Sequence, residues 1–153
     1  MAPEPGDLAP DFTLPDQSGS PVTLSSLRGT NVVLYFYPKA DTPGCTTQAC
    51  AIRDRSADFT AANAVVLGVS PDAPKKIAKF DEKFSLGFPL LGDESHEVAE
   101  QYGVWVEKSM YGRTYMGMER STFVIDPDGK VTHVFRKVKP AAHDAQVLAA
   151  LGE

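Results

Sequence analysis

Only two cysteines occur in the 153 residues, Cys45 and Cys50. They are too few for the disulfide frameworks that staple small secreted domains. No apolar run approaches the roughly 18 residues of a membrane span. The N-terminus, MAPEPGDLAPDF, lacks a basic n-region and an apolar h-region and does not read as a signal peptide. A cytoplasmic location is therefore expected, where a close cysteine pair serves redox chemistry or metal binding more often than permanent bracing. Histidine is scarce: His96, His133 and His143 are scattered and supply no further ligands at metal spacing, so no metal is expected. Basic residues are outnumbered, 15 against 20 acidic, for a net charge of −5. A chain with this balance has little with which to neutralise phosphates, and nucleic acid is not an expected partner. Internal repeats, low-complexity tracts and long Pro/Gly/Ser linkers are missing too, so residues 1–153 read as one domain.

Apolar runs and turn residues are well represented. Hydrophobic residues make up 42% of the chain, enough for a proper core at this length, and 12 prolines fall mainly between the apolar runs. After an extended lead-in over 1–10, short strands are expected at 11–14 and 22–24, with a helical turn near 27–29. The run NVVLYFY at 31–37 is apolar on both faces, as a central strand covered on each side must be. A helix over 43–62 follows, then a buried strand at 64–70 and a helix at 74–84. A short strand lies within 87–93, and a helix over 95–102 has Ser95 as its N-cap. Strands at 121–126 and 131–135 flank a PDG turn, and a helix over 141–151 ends at Gly152. Residues 104–118, rich in aromatics, methionine and glycine, suit core packing or a hairpin. Alternating strands and helices, then a strand hairpin and a final helix, predict an α/β domain with a mixed sheet.

The surroundings of Cys45 carry chemistry. Thr42 and Pro43 form a helix-start pair, an N-cap followed by proline at the first helical position. Cys45 is then the third helical residue, where free backbone amides and the helix dipole favour a thiolate. The Thr42 hydroxyl is within reach of the Cys45 amide or sulfur, and Pro38 stands at the exit of the central strand. Cys50 lies five residues further along. On a regular helix that spacing gives an offset of about 140° and a rise of roughly 7.5 Å. Disulfide geometry requires Cα atoms closer than about 7 Å with converging Cβ vectors. If the two sulfurs react, the first turns must unwind, and Gly44, Thr46 and Thr47 make them easy to loosen.

The segment PKADTPGC resembles the peroxiredoxin pattern P-x-x-x-T-x-x-C through Pro38, Thr42 and Cys45. The longer run YFYPKADTPGCTTQACAIRD is similar to the bacterioferritin comigratory protein, or peroxiredoxin Q, subfamily. GDLAPDFTLPDQSG and MYGRTYMGMERSTFVIDPDG extend the likeness over nearly the whole chain. The resemblance implies a thioredoxin-like fold, a mixed central sheet flanked by helices with N-terminal additions. It implies a thiol peroxidase acting on hydrogen peroxide and organic hydroperoxides. Cys45 would be the peroxidatic cysteine and Cys50 the resolving one, joined as an intrachain disulfide and recycled by thioredoxin or a similar dithiol. Thr42 would bond the thiolate and peroxide, Pro38 would shield the site, and Arg120 would match the family's active-site arginine. The implied working unit is a monomer without metal, haem or flavin. One departure is Gln48, where many members carry glutamate; a Glu–Arg pair would then be absent or replaced by a neutral hydrogen bond.

Two other readings of the residues stand beside this one. A thiol–disulfide oxidoreductase shares the helix-start cysteine but needs a C-x-x-C pair that is lacking. A redox sensor would use the same two sulfurs as a switch without turnover. Catalytic consumption of peroxide separates the three.

Overall fold

The computed structural model describes residues 2–152. Its centre is β3 (Asn31–Phe36), the fully apolar run, whose last five residues are all buried. Successive side chains of a strand point to opposite faces, so this one strand nucleates two cores. Val32, Leu34 and Phe36 join Phe12, Leu67, Tyr102 and Phe123 on one side. Val33, Tyr35 and Tyr37 join Cys45, Ile52, Ile77, Phe80 and Val147 on the other. Each fully buried aliphatic or aromatic side chain contributes about 1.5–3 kcal/mol.

Around β3 the five-stranded sheet runs β5-β4-β3-β8-β9. β4 (Ala64–Ser70) and β5 (Leu90–Gly92) extend it in parallel, while β8 (Ser121–Ile125) and β9 (Val131–Phe135) add antiparallel strands. The parallel pairs require crossovers. α1 (Pro43–Asp54) with α2 (Ser56–Ala61) supplies the first, and α3 (Pro74–Phe84) the second. α5 (His143–Leu151) packs beside α1, whereas α4 (Glu97–Gln101) belongs to the opposite core. The N-terminal addition is the hairpin of β1 (Thr13–Pro15) and β2 (Pro21–Thr23), followed by a 3-10 turn at Leu24–Leu27. Residues 104–118 form a second hairpin, β6 (Trp105–Met110) and β7 (Arg113–Met118). Tyr111 and Gly112 both have positive φ, 53° and 77°, which matches the twist of a two-residue hairpin turn. No helix among the described residues is long and apolar enough to cross a membrane.

Two expectations need correction. The helix over 43–62 is two helices, broken where Arg55 leaves helical geometry (φ −112°, ψ 22°) and its amide reaches back only to the Ile52 carbonyl. Arg55 instead starts α2, its side chain pairing with Asp58. Ser95 does not cap α4. The buried Asp93 carboxylate accepts the Val98 and Ala99 amides at 3.3 and 2.8 Å, and His96 adopts a left-handed φ of 53° to turn the chain into the helix. Gly152 ends α5 as expected but with right-handed φ −83°, so its position needs no special freedom.

Asp93 is 1% exposed and accepts from two amides at the start of α4. Asp93→Ala should lower stability by about 1–3 kcal/mol, because both donors are left buried and unpaired. Urea unfolding of the two proteins measures it; coincident midpoints would refute the capping role.

Candidate active site

Thr42 is the N-cap of α1 with extended backbone (φ −104°, ψ 155°), and Pro43, Gly44 and Cys45 make the first turn. Thr46 is the first residue whose amide bonds back, to the Thr42 carbonyl at 2.8 Å. The amides of Gly44 and Cys45 are thus among the unsatisfied donors of the helix start. Cys45 is 1% exposed and reduced, and Cys50 is half-buried and reduced. Both sit on one unbroken helix, so the sulfurs lie on different faces, as the spacing requires.

The Thr42 hydroxyl makes no hydrogen bond to the helix start. It donates to the Lys39 carbonyl at 2.8 Å and closes the turn before the helix. This corrects the expectation of a bond to the Cys45 amide: a backbone carbonyl three residues upstream takes the hydroxyl instead. The loop is pinned at two further points. The Ala40 amide donates to the Asp72 carboxylate at 2.7 Å, and Asp41, in a left-handed conformation (φ 60°), pairs with Lys83 at 3.1 Å. Asp72 lies in the β4–α3 loop and has no motif around it, which is why the sequence did not reveal it.

Arg120 precedes β8, and its guanidinium lies over the first turn of α1. A Cβ on Gly44 would stand 3.1 Å from Arg120 Nη2, so glycine leaves the room that the guanidinium occupies. Arg120 Nη1 donates to Gln48 Oε1 at 2.7 Å. Gln48 is fully buried, and the neutral bond expected in place of a Glu–Arg pair is the one observed. Glu119, next to Arg120, is engaged by Ser121 and Arg136 instead. Among the described residues Arg120 therefore carries its charge to the site without a carboxylate partner. Arg120 is held from behind by its carbonyl, which accepts the Val138 amide at 2.9 Å.

Pro38 is half-buried and lines a cavity of about 260 Å³ with Trp105, Lys108, Tyr115, Met116 and Met118 of the β6–β7 hairpin. The structure thus gathers Gly44, Gln48 and Arg120 at the start of α1 with Cys45, sets Pro38 on the hairpin side, and engages the Thr42 hydroxyl with the loop before the helix. No group of three or more metal-ligating side chains occurs among the described residues.

His143, at the start of α5, is a buried residue that the sequence pattern did not single out. Its Nε2 is 2.7 Å from the Thr122 hydroxyl, and its ring lies 5.4 Å from that of Tyr35. Burial pushes its pKa from 6.5 down to about 4, with Asp144 opposing and the Arg120 charge assisting. The unfolded chain therefore takes up this proton before the folded one as pH falls. Stability from this group is complete above pH 6.5 and is lost toward pH 4, by about 3 kcal/mol. The urea midpoint of wild type should fall over that window more steeply than that of His143→Gln. Parallel profiles would show that another group controls acid unfolding.

Comparisons with known proteins identify relatives of this chain in sequence and in fold. The sequence model of the AhpC/TSA family matches residues 5–134. Peroxiredoxin Bcp of Escherichia coli K12 is 52% identical over 148 residues, 97% of this chain and 95% of that protein. The structure of Xanthomonas campestris peroxiredoxin Q superposes with a TM-score of 0.88 at 41% identity, over 92% of this chain and 89% of that one. A Xylella fastidiosa PrxQ variant superposes at 0.94 with 34% identity, over 99% and 97% of the two chains. The mixed sheet and its helices are thus the thioredoxin-like fold of these proteins. Matched by the family over most of its length and by these relatives over nearly all of it, the chain belongs to the AhpC/TSA family of peroxiredoxins.

Proposed function

We propose that Cys45 is the peroxidatic nucleophile of this thiol-dependent peroxidase and that Cys50 resolves it. The observation that carries the assignment is the Cys45 sulfur in the first turn of α1, beneath an arginine that has no carboxylate partner among the described residues. In the first step the thiolate attacks one peroxide oxygen. An S–O bond forms, the O–O bond breaks, and the departing oxygen takes a proton to leave as water or an alcohol. Arg120 and the Gly44 and Cys45 amides stabilise the charge that moves from sulfur to the leaving oxygen. Pro38 limits water at the sulfur, and Thr42 serves the site by closing the loop before α1 through the Lys39 carbonyl.

In the second step the Cys50 sulfur attacks the Cys45 sulfenic acid and releases water, giving an intrachain disulfide. A dithiol of the thioredoxin type returns both thiols by exchange. Hydrogen peroxide and organic hydroperoxides are the substrates in this reading. A Xanthomonas campestris bacterioferritin comigratory protein, 40% identical to this chain, has alkyl peroxide reduction activity. Because both cysteines lie on one helix, resolution needs no second subunit, and a monomer of one domain is the proposed working unit.

Cys45→Ser should abolish peroxide consumption. Cys50→Ser should retain one stoichiometric turnover but lose sustained turnover with thioredoxin. Steady-state and single-turnover assays measure both. Rapid consumption by the Cys45→Ser protein would overturn the assignment.

Oxidation must also open α1. Amide hydrogen exchange over residues 43–53 should be slow in the reduced protein and fast once mass spectrometry finds the Cys45–Cys50 disulfide. Equal protection in both states would contradict the helix geometry on which the proposed cycle rests.

A further inference from the structure

One buried carboxylate outside the proposed chemistry touches the loop that leads into α1. Asp72, between β4 and α3, accepts the Ala40 amide on Oδ2 at 2.7 Å, and its side chain is 9% exposed. Ala40 is 2% exposed and belongs to the same core cluster as Cys45. It stands just before Asp41 and the N-cap Thr42. A hydrogen bond from a buried amide to a carboxylate is among the stronger ones a loop can make, and its donor is costly to leave unpaired.

The support behind Asp72 is stiff. Its carbonyl oxygen lies 2.6 Å from where a Cβ on Gly92 would stand, so only glycine lets β5 pack this closely against it. Its amide faces Ser70 Oγ at 3.4 Å, and Ser70 is buried at the end of β4. The Asp93 amide, donating to the Ser70 carbonyl at 2.8 Å, ties the end of β5 to the same point. Pro71 lines one cavity together with Pro38 and Lys39, so the two loops face each other. The sheet thus fixes Asp72, and Asp72 fixes the approach to α1. The other ties of this loop are of a different kind. The Thr42–Lys39 bond lies within the loop itself, and the Asp41–Lys83 pair is exposed on both sides and screened by water. Among the described residues, the Ala40–Asp72 bond is the buried link from residues 39–42 to the body of the fold.

We propose that Asp72 is a positioning residue of the peroxide step: by holding the Ala40 amide, its carboxylate keeps the start of α1 closed for attack by Cys45 and opposes the opening through which Cys50 resolves it. This rests on the reading of Cys45 as nucleophile and Cys50 as its partner. Asp72 acts through the backbone between Ala40 and Cys45, not on the substrate. A bond that favours the closed helix start speeds the first step and slows the second, so its loss moves the two rates in opposite directions.

The test times the two steps separately. Sulfenic acid formation is followed in a Cys50→Ser background by quenching into dimedone and mass spectrometry. Disulfide formation is followed by acid quench with both cysteines present. Asp72→Ala should slow sulfenic acid formation about tenfold or more and quicken its conversion to disulfide by a similar factor. Asp72→Asn keeps an acceptor oxygen without the charge and should fall between Asp72→Ala and the parent in both rates. Lys76→Met removes the exposed partner that Asp72 Oδ1 pairs with at 3.3 Å and leaves the Ala40 bond, so it should stay within about twofold of the parent. In reduced Asp72→Ala, amide exchange over residues 46–50 should quicken while that of β4 is retained, a pattern that a general loss of stability would not give. An unchanged attack rate with unchanged protection in natively folded Asp72→Ala overturns the proposal. So do two steps slowed alike in the alanine and asparagine variants. If Asp72→Ala does not fold, Asp72→Asn decides on the same two rates. Dimedone found elsewhere than on Cys45 would instead overturn the nucleophile assignment.

Discussion

A regular helix cannot bring together two sulfurs five residues apart, and the architecture around α1 answers to that constraint. The reduced protein keeps Cys45 at the buried helix start, where the proposed cycle has it meet peroxide. It keeps Cys50 on another face of the same helix, half-buried against the same core. The two stages of chemistry thus ask for two backbones: one ordered to bind and attack, one opened to resolve. A core supplied by both faces of β3 tolerates this exchange, because the face carrying Phe12, Leu34 and Phe123 takes no part in it.

The charge around the sulfur is arranged by subtraction as much as by addition. Arg120 is bonded to the neutral Gln48 rather than to a carboxylate, and the neighbouring Glu119 is turned toward Arg136. A glutamate at position 48 would take part of the guanidinium charge for itself. The glutamine fixes the same geometry and leaves that charge for the reacting atoms. Glycine at position 44 completes the arrangement, since any side chain there would crowd Arg120 Nη2.

Much of this was legible in the sequence, for identifiable reasons. NVVLYFY could only be a strand covered on both sides, and the T-P-x-C start of α1 is a local signal that tertiary structure had no cause to override. The alternation of strands and helices follows from short turns and apolar periodicity, whereas the strand order in the sheet does not, and for 104–118 a hairpin is one of two readings. What escaped was contact between distant segments. Asp72 tethers the active-site loop across 32 positions, and Asp93 caps a helix from before the serine that looked like the cap. Thr42 illustrates the limit of local reading: its backbone obeys the N-cap rule while its hydroxyl bonds the Lys39 carbonyl. His143 carries no motif, and only the fold brings it against Thr122 and Tyr35.

The break at Arg55 sets the length over which α1 behaves as one cooperative unit. Had the helix run on to residue 61, loosening its start would have drawn on the hydrogen bonds and packing of Phe59 as well. Instead α2 begins a ladder of its own, with the Asp58 and Phe59 amides bonded to the Arg55 carbonyl at 3.0 and 3.2 Å. At its far end α1 is clamped, since Arg53 Nη1 donates to the Phe84 carbonyl at 2.6 Å. The Cys45 end is held by other means, through the Ala40–Asp72 and Asp41–Lys83 contacts of the preceding loop and the Arg120–Gln48 bond. In the proposed cycle, opening that end releases few residues, and the clamp at Arg53 gives the chain a fixed template on which to rewind.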